Sequence, residues 1–114
     1  MIEEYRFGSI KVDGANYTRD IMILPGGRVK PNWWRIEGHK LHLEDLRDLL
    51  DAKPDIIIIG TGFYGAMDVP SEVVEAIRGQ SIEVLARKTY EAVRLYNELS
   101  SKDRRVAAAL HLTC

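Results

Sequence analysis

The clearest chemistry in this chain is offered by Gly60-Thr61-Gly62-Phe63-Tyr64-Gly65, which follows an unbroken isoleucine run at residues 56–59. G-x-G-x-x-G after a strand is the spacing of a dinucleotide-binding turn, whose glycines let backbone approach a pyrophosphate at a helix N-terminus. Here Met67-Asp68-Val69-Pro70 intervenes before the first helical turn near Ser71. The next strand ends in Arg87-Lys88, not in an acidic ribose ligand, and the chain holds only half of a Rossmann domain. A basic pair there suits a 2′-phosphate, as in NADP. The less specific reading is a loop at the carboxyl end of a buried strand, with backbone N–H groups of residues 61–64 converging on a phosphate, nucleotide or other small anion. Arg87, Lys88 and His111 then line its pocket. The architectural alternative is that the glycines only turn the chain.

Other reactive side chains are sparse. His39 and His42 have a His-x-x-His spacing, but no thiol or carboxylate pair accompanies them, so no metal site is expected. His42 instead stands where a helix N-cap belongs, with Asp45 three residues on. His111 and Cys114 are close in sequence, and thiol plus imidazole is the minimum for a cysteine nucleophile. No third, orienting group is evident, and His111 reads better as a hydrogen-bonded residue at a strand end. Asp20 and Asp68 are single carboxylates with no partner at a spacing that specifies a general acid and base. No catalytic residues and no cofactor are assigned.

Trp33-Trp34-Arg35 is the most distinctive side-chain cluster. In a strand over residues 28–36, Trp33 shares parity with Val29 and faces inward, whereas Trp34 shares parity with Arg28, Lys30 and Asn32 and faces solvent. An exposed Trp34 flanked by Arg35 has the composition of an interface anchor. Pro31 marks this strand as an edge or an irregular one.

These residues need a scaffold, and the punctuation supplies one. Residues 6–12 and 15–18 read as a hairpin around Asp13-Gly14, and residues 20–24 as a further strand closed by a Pro25-Gly26 type II turn. From residue 39 the period lengthens: Leu43, Leu46, Leu49 and Leu50 mark one helical face, ended at Lys53-Pro54. Residues 55–59 form a strand buried on both sides. Pro70-Ser71 opens a helix with Gly79 at its C′ position, residues 82–86 return as a strand, and Thr89 caps a helix through Leu99. Val106, Ala108, Leu110 and Leu112 share one parity and Ala107 and Ala109 the other, as in a central strand with close packing above and below. Taken alone, the β-α-β-α-β order implies right-handed crossovers onto a partly parallel sheet, with the N-terminal hairpins as an added antiparallel layer.

Composition narrows the classes. With 114 residues, 46% of them hydrophobic, residues 1–114 form a single domain with a core of its own. Sixteen basic residues against 17 acidic give a net charge of −1, which recruits neither nucleic acid nor an anionic membrane. A lone cysteine excludes an intramolecular disulfide. The absence of a signal-like stretch or a long apolar run leads to the expectation of a soluble, cytoplasmic protein.

The order of segments also carries a resemblance. Residues 20–25, Trp34-Arg35, Gly38-His39, IIIIGTG, the Val-Pro before a helix, Tyr96-Asn97 and the stretch RRVAAALHLTC together resemble one family. It is the small domain of unknown function found in archaea and bacteria, in human adipogenesis-associated domain-containing protein and in a mitochondrial complex I assembly factor. The resemblance implies an α/β fold of three layers, β+β/α. In it a mixed central sheet holds the last strand at its centre, antiparallel to its neighbours, beneath an antiparallel hairpin layer. It brings no catalytic residues with it. The function expected is a non-catalytic interaction, assembly or regulatory module with a protein partner or a second copy of itself. The alternative is an anion- or small-molecule-binding protein, conceivably an enzyme, centred on residues 60–65.

Overall fold

A computed structural model describes all residues, Met1–Cys114, and its organisation follows from how each segment disposes of its apolar side chains. The first sheet comprises β1 (Ile2–Arg6), β2 (Ser9–Val12) and β3 (Ala15–Tyr17), joined as antiparallel hairpins. The strand expected over residues 6–12 is in fact broken at Phe7-Gly8. Gly8 adopts φ 78°, which turns the chain and frees residues 2–6 to form a strand of their own. The Asp13-Gly14 turn is as expected, with φ values of 49° and 86° at the two central positions of a tight hairpin.

The second sheet holds β4 (Ile21–Ile23), β5 (Val29–Lys30), β6 (Ile56–Thr61), β7 (Glu83–Arg87) and β8 (Val106–His111), in the order β5-β4-β8-β6-β7. Between β4 and β5, Gly27 N–H donates to Leu24 O at 2.9 Å, closing the turn through Pro25 and Gly26, the latter at φ 96°. The strand expected through residue 36 stops at Lys30. Pro31 has no N–H for a ladder, and Asn32 is left-handed at φ 58°. Trp33 then donates its N–H to Asp20 O at 2.8 Å, which swings that indole inward to 7% exposure and leaves Trp34 outside at 75%. The expected orientation of the two rings holds, although this backbone bond, not a regular pleat, produces it.

β8 is central, as expected, but it is antiparallel only to β4; it runs parallel to β6. The crossover from β7 through α3 (Thr89–Ser100) returns the chain in the direction of β6, as the β-α-β order implies; the sheet is mixed as expected, and only the antiparallel placement of β8 against both neighbours is corrected. Alternation along the strands divides the core. Ile57, Ile59, Ala107, Ala109 and Met22 face α1 (Arg47–Asp51) and α2 (Ser71–Arg78), together with Leu46, Leu49 and Ile77. Ile56, Ile58, Val106, Ala108 and Leu110 face α3 and the first sheet, meeting Ala92, Tyr96, Ile10 and Val12. Ile56, Ile57, Ile58 and Ile59 are at most 1% exposed, and each such burial stabilises the fold by roughly 1.5–3 kcal/mol.

The helix ends carry two more corrections. Gly79 is helical, at φ −63°, and the left-handed residue that follows α2 is Ser81. Thr89 is the first residue of α3, not its cap, because its hydroxyl is engaged elsewhere. His42 does precede a helical turn (Leu43–Leu46): Asp45 accepts its N–H at 2.8 Å and that of Ile36 at 3.0 Å. Along the outer edge of β1, Asn97 of α3 takes the place of a strand partner. It accepts the Ile2 N–H and donates to Ile2 O, both at 2.8 Å.

Candidate functional site

β6, β7 and β8 are parallel and end side by side at Thr61, Arg87 and His111. β4 runs the opposite way, so Asp20, just before it, reaches the same edge. Open α/β sheets place their ligands at such carboxyl ends. Three charged or titratable side chains meet here. Asp20 Oδ2 accepts from Arg35 Nη1 at 2.7 Å and from His111 Nδ1 at 2.8 Å, and its Oδ1 accepts the Leu112 N–H at 2.8 Å. Arg35 also donates to Gly38 O through Nε and Nη2 and lies 4.7 Å over the Trp33 ring. Its side chain is 7% exposed and that of Asp20 15%. Burial acts to raise the Asp20 pKa, but hydrogen bonds from His111, Leu112 and Arg35 outweigh it and hold the carboxyl below its ordinary value.

A carboxylate on Nδ1 fixes an imidazole tautomer and turns Nε2 into the proton acceptor. In His111 that Nε2 is buried without a hydrogen-bond partner, beside the ring of His39 at 6.5 Å between centroids. No substrate reaches it in this conformation, so the trio acts as a clamp joining β4, β8 and the loop after β5. Arg35 is therefore not the exposed flank of Trp34 that the sequence suggests. Its guanidinium turns inward, because a buried carboxylate outcompetes solvent for it.

The glycine loop is also closed, and by the chain itself. Gly62 N–H donates to Thr89 Oγ1 at 2.9 Å, Thr89 Oγ1 donates to His111 O at 2.6 Å, and Thr89 N–H returns to Gly62 O at 3.0 Å. Phe63 N–H donates to Thr113 O and Ala66 N–H to Cys114 O. Of the donors expected to converge on an anion, Gly62 N–H is thus taken by Thr89 and Phe63 N–H by Thr113. Arg87, Lys88 and His111, expected to line its pocket, each have partners of their own. Arg87 pairs with Glu91 at 3.4 Å, the Lys88 stem packs over Gly65, and His111 faces Asp20. The larger grooves lie elsewhere, one of about 700 Å³ beside Leu43, Leu50, Pro54 and Ile82, another of about 450 Å³ beside Trp33 and Trp34. Cys114 is exposed, and no cluster of three or more His, Cys, Asp or Glu side chains forms a metal site.

This closure makes Gly62 a sensitive position. A Cβ there would lie 2.2 Å from the Cys114 carbonyl carbon, on a residue already at φ 106°. Gly26 has a similar φ of 96° but open space around it. Gly26→Ala is expected to cost about 1 kcal/mol from backbone strain alone, and Gly62→Ala at least twice that; paired urea titrations measure the difference.

Sequence reasoning missed a second feature of this edge. Phe7, in the β1–β2 turn, and Phe63 and Tyr64, in the glycine loop, are 50%, 39% and 68% exposed. Their rings touch: Phe7–Phe63 at 5.8 Å, Phe7–Tyr64 at 6.1 Å and Phe63–Tyr64 at 5.0 Å between centroids. Tyr5 continues the cluster inward at 6.3 Å from Phe63 and donates its hydroxyl to Leu112 O at 2.8 Å. Burial chiefly, against a hydrogen bond with Thr89 and with the Asp20 charge adding, pushes the Tyr5 hydroxyl up to about 12. The signal available in sequence was aromatic residues at two glycine turns, but only the fold brings those turns together.

A five-strand mixed sheet with β8 central, helices on one face, and α3 with a three-strand antiparallel sheet on the other define a β+β/α layered domain. The chain belongs to the family described as proteins of unknown function (DUF498/DUF598), which it matches over residues 2–111. That family includes archaeal and bacterial hypothetical proteins, adipogenesis-associated domain proteins and a mitochondrial complex I assembly factor. The chain is similar to the conserved hypothetical protein PH1505 from Pyrococcus horikoshii OT3, at 34% identity, 100% coverage of this chain, 99% of that one and a TM-score of 0.87. It is equally similar in sequence to MT938, at 34% identity, coverages of 100% and 98% and a TM-score of 0.82. A Bartonella henselae structure described as an outer membrane protein matches at 25% identity, coverages of 99% and 94% and a TM-score of 0.82. In the present chain no helix is long and apolar enough to cross a membrane.

Proposed function

We propose that this domain is a non-catalytic protein-association module, working in the cytoplasm, whose main contact face is the Phe7–Phe63–Tyr64 cluster. One observation carries the reading: three mutually packed aromatic rings are exposed on turns held by backbone hydrogen bonds. Aromatic side chains held rigid before binding lose little entropy on docking, and such residues dominate interface energetics. Trp34 adds a separate exposed ring, now without the Arg35 flank. The competing anion-binding reading is weakened because two of the loop's donors, Gly62 N–H and Phe63 N–H, are engaged within the chain.

A photocrosslinking amino acid at Tyr64, tested in the cells that make the protein, is expected to yield one discrete protein adduct. The same probe at Glu75, exposed on α2, should yield none. Phe63→Ser should weaken that adduct's binding roughly thirtyfold, the equivalent of losing an anchor worth ~2 kcal/mol. No adduct, or the same pattern from both positions, overturns the reading. A rise in melting temperature with phosphate, a nucleotide or a carboxylate would redirect it to the ligand alternative.

A further inference from the structure

The outermost strand of the large sheet, β7, has one backbone edge without a partner strand. Glu83 N–H donates to Asp55 O at 3.0 Å, and Arg87 O accepts from Thr61 Oγ1, so residues 83, 85 and 87 direct their backbone groups toward β6. Alternation then turns the amides and carbonyls of Val84 and Ala86 outward. Consistent with this, the Ala86 carbonyl is met only by the guanidinium of the adjacent Arg87, at 2.9 Å. An open edge of this kind is a template for another strand.

The sequence of β7, Glu-Val-Leu-Ala-Arg, reads as its own antiparallel complement. We propose that β7 pairs with β7 of a second copy about a two-fold axis at Leu85, joining the two five-stranded sheets into one. In that register Glu83 faces the partner's Arg87, Val84 faces the partner's Ala86, and Leu85 faces the partner's Leu85. Val84 and Ala86, the residues whose backbone groups point outward, become the hydrogen-bonded pair. Glu83, Leu85 and Arg87 lie on one face, where two opposite-charge pairs flank a leucine contact. A parallel arrangement would set Glu83 beside the partner's Glu83, and a two-residue slip would lose both ion pairs. Charge complementarity thus selects a second copy over an unrelated strand. The existing contacts of these side chains, Glu83 with Arg104 at 3.2 Å and Arg87 with Glu91 at 3.4 Å, are exposed ion pairs of small worth. This surface is separate from the aromatic cluster and does not depend on its role.

Sedimentation equilibrium of the full chain, from micromolar to millimolar concentration, tests the pairing. The wild type is expected to reach dimer mass. Glu83→Arg or Arg87→Glu alone should raise the dimer dissociation constant roughly tenfold or more, since each sets like charges opposite one another. The double variant Glu83→Arg/Arg87→Glu should restore it, which a merely misfolded single variant could not explain. Hydrogen exchange at the Val84 and Ala86 amides should slow as the wild type associates. A monomeric wild type, a double variant that stays monomeric, or exchange at those amides that ignores concentration overturns the proposal. A Phe63→Ser variant should dimerise normally, so loss of the aromatic contact and loss of the strand pairing are told apart.

Discussion

Asp20→Ala is expected to destabilise the domain by about 3–5 kcal/mol at neutral pH, because it strands the Arg35 guanidinium and the His111 ring away from solvent. It also leaves the Leu112 N–H without its acceptor. Asp20→Asn keeps the shape and one acceptor but not the charge, and should fall between the two. The pH dependence separates charge from packing. The folded-state pKa of Asp20 is lowered, so its charged form stabilises the fold above the unfolded-state value of about 4, and that contribution is lost as pH falls through the folded value. Urea unfolding of wild type and Asp20→Asn should therefore differ most near neutrality and converge in acid. A gap that persists unchanged at low pH would assign the cost to packing and not to the carboxylate charge.

Trp33→Ala on its own is expected to cost about 3–5 kcal/mol by a different route, the cavity left by a ring that is 7% exposed. Its Nε1–H donates to Asp45 O at 2.9 Å, and its face supports Arg35, so the loss should reach the helical turn at Leu43–Leu46 and the Asp20 clamp together. Trp34→Ala, one residue on, should leave thermal stability nearly unchanged, since that ring is 75% exposed. Chemical denaturation of the two variants side by side measures the contrast. Because Trp33 and Asp20 both touch Arg35, the double variant should lose less than the two single losses added together.

Much of the scaffold was legible because its signals are local. The isoleucines of β6, the two-parity apolar pattern of β8, the Asp13-Gly14 and Pro25-Gly26 turns and the leucine face from Leu43 to Leu50 each lie within a few residues. Hydrophobic alternation and positive-φ turn chemistry act over that range. The strand break at Pro31-Asn32 was half legible: proline announced it, but the backbone bond from Trp33 to Asp20 that resets the chain spans the gap between β4 and β5.

The site was not legible in that way. Asp20 lies 15 residues from Arg35 and 91 from His111, and no spacing rule connects three such residues. Thr89 looked like a helix cap, yet its hydroxyl bridges Gly62 and the His111 carbonyl, since three strands end against it. The glycine loop invited an anion until residues 113–114 were seen to lie in its concavity. By itself the sequence determined the elements from β6 onward, the two-sided burial of β6 and β8 and the Asp13-Gly14 and Pro25-Gly26 turns, because those depend on apolar periodicity and on the φ each residue tolerates; it missed the turn at Phe7-Gly8 and with it β1. Only the tertiary structure decided the partners of Asp20, the register of β8 against β4, the closure of the loop and the meeting of Phe7 with Phe63 and Tyr64. These depend on which distant backbone and side-chain groups are buried together, where every polar group must find a partner and a local pattern cannot say which.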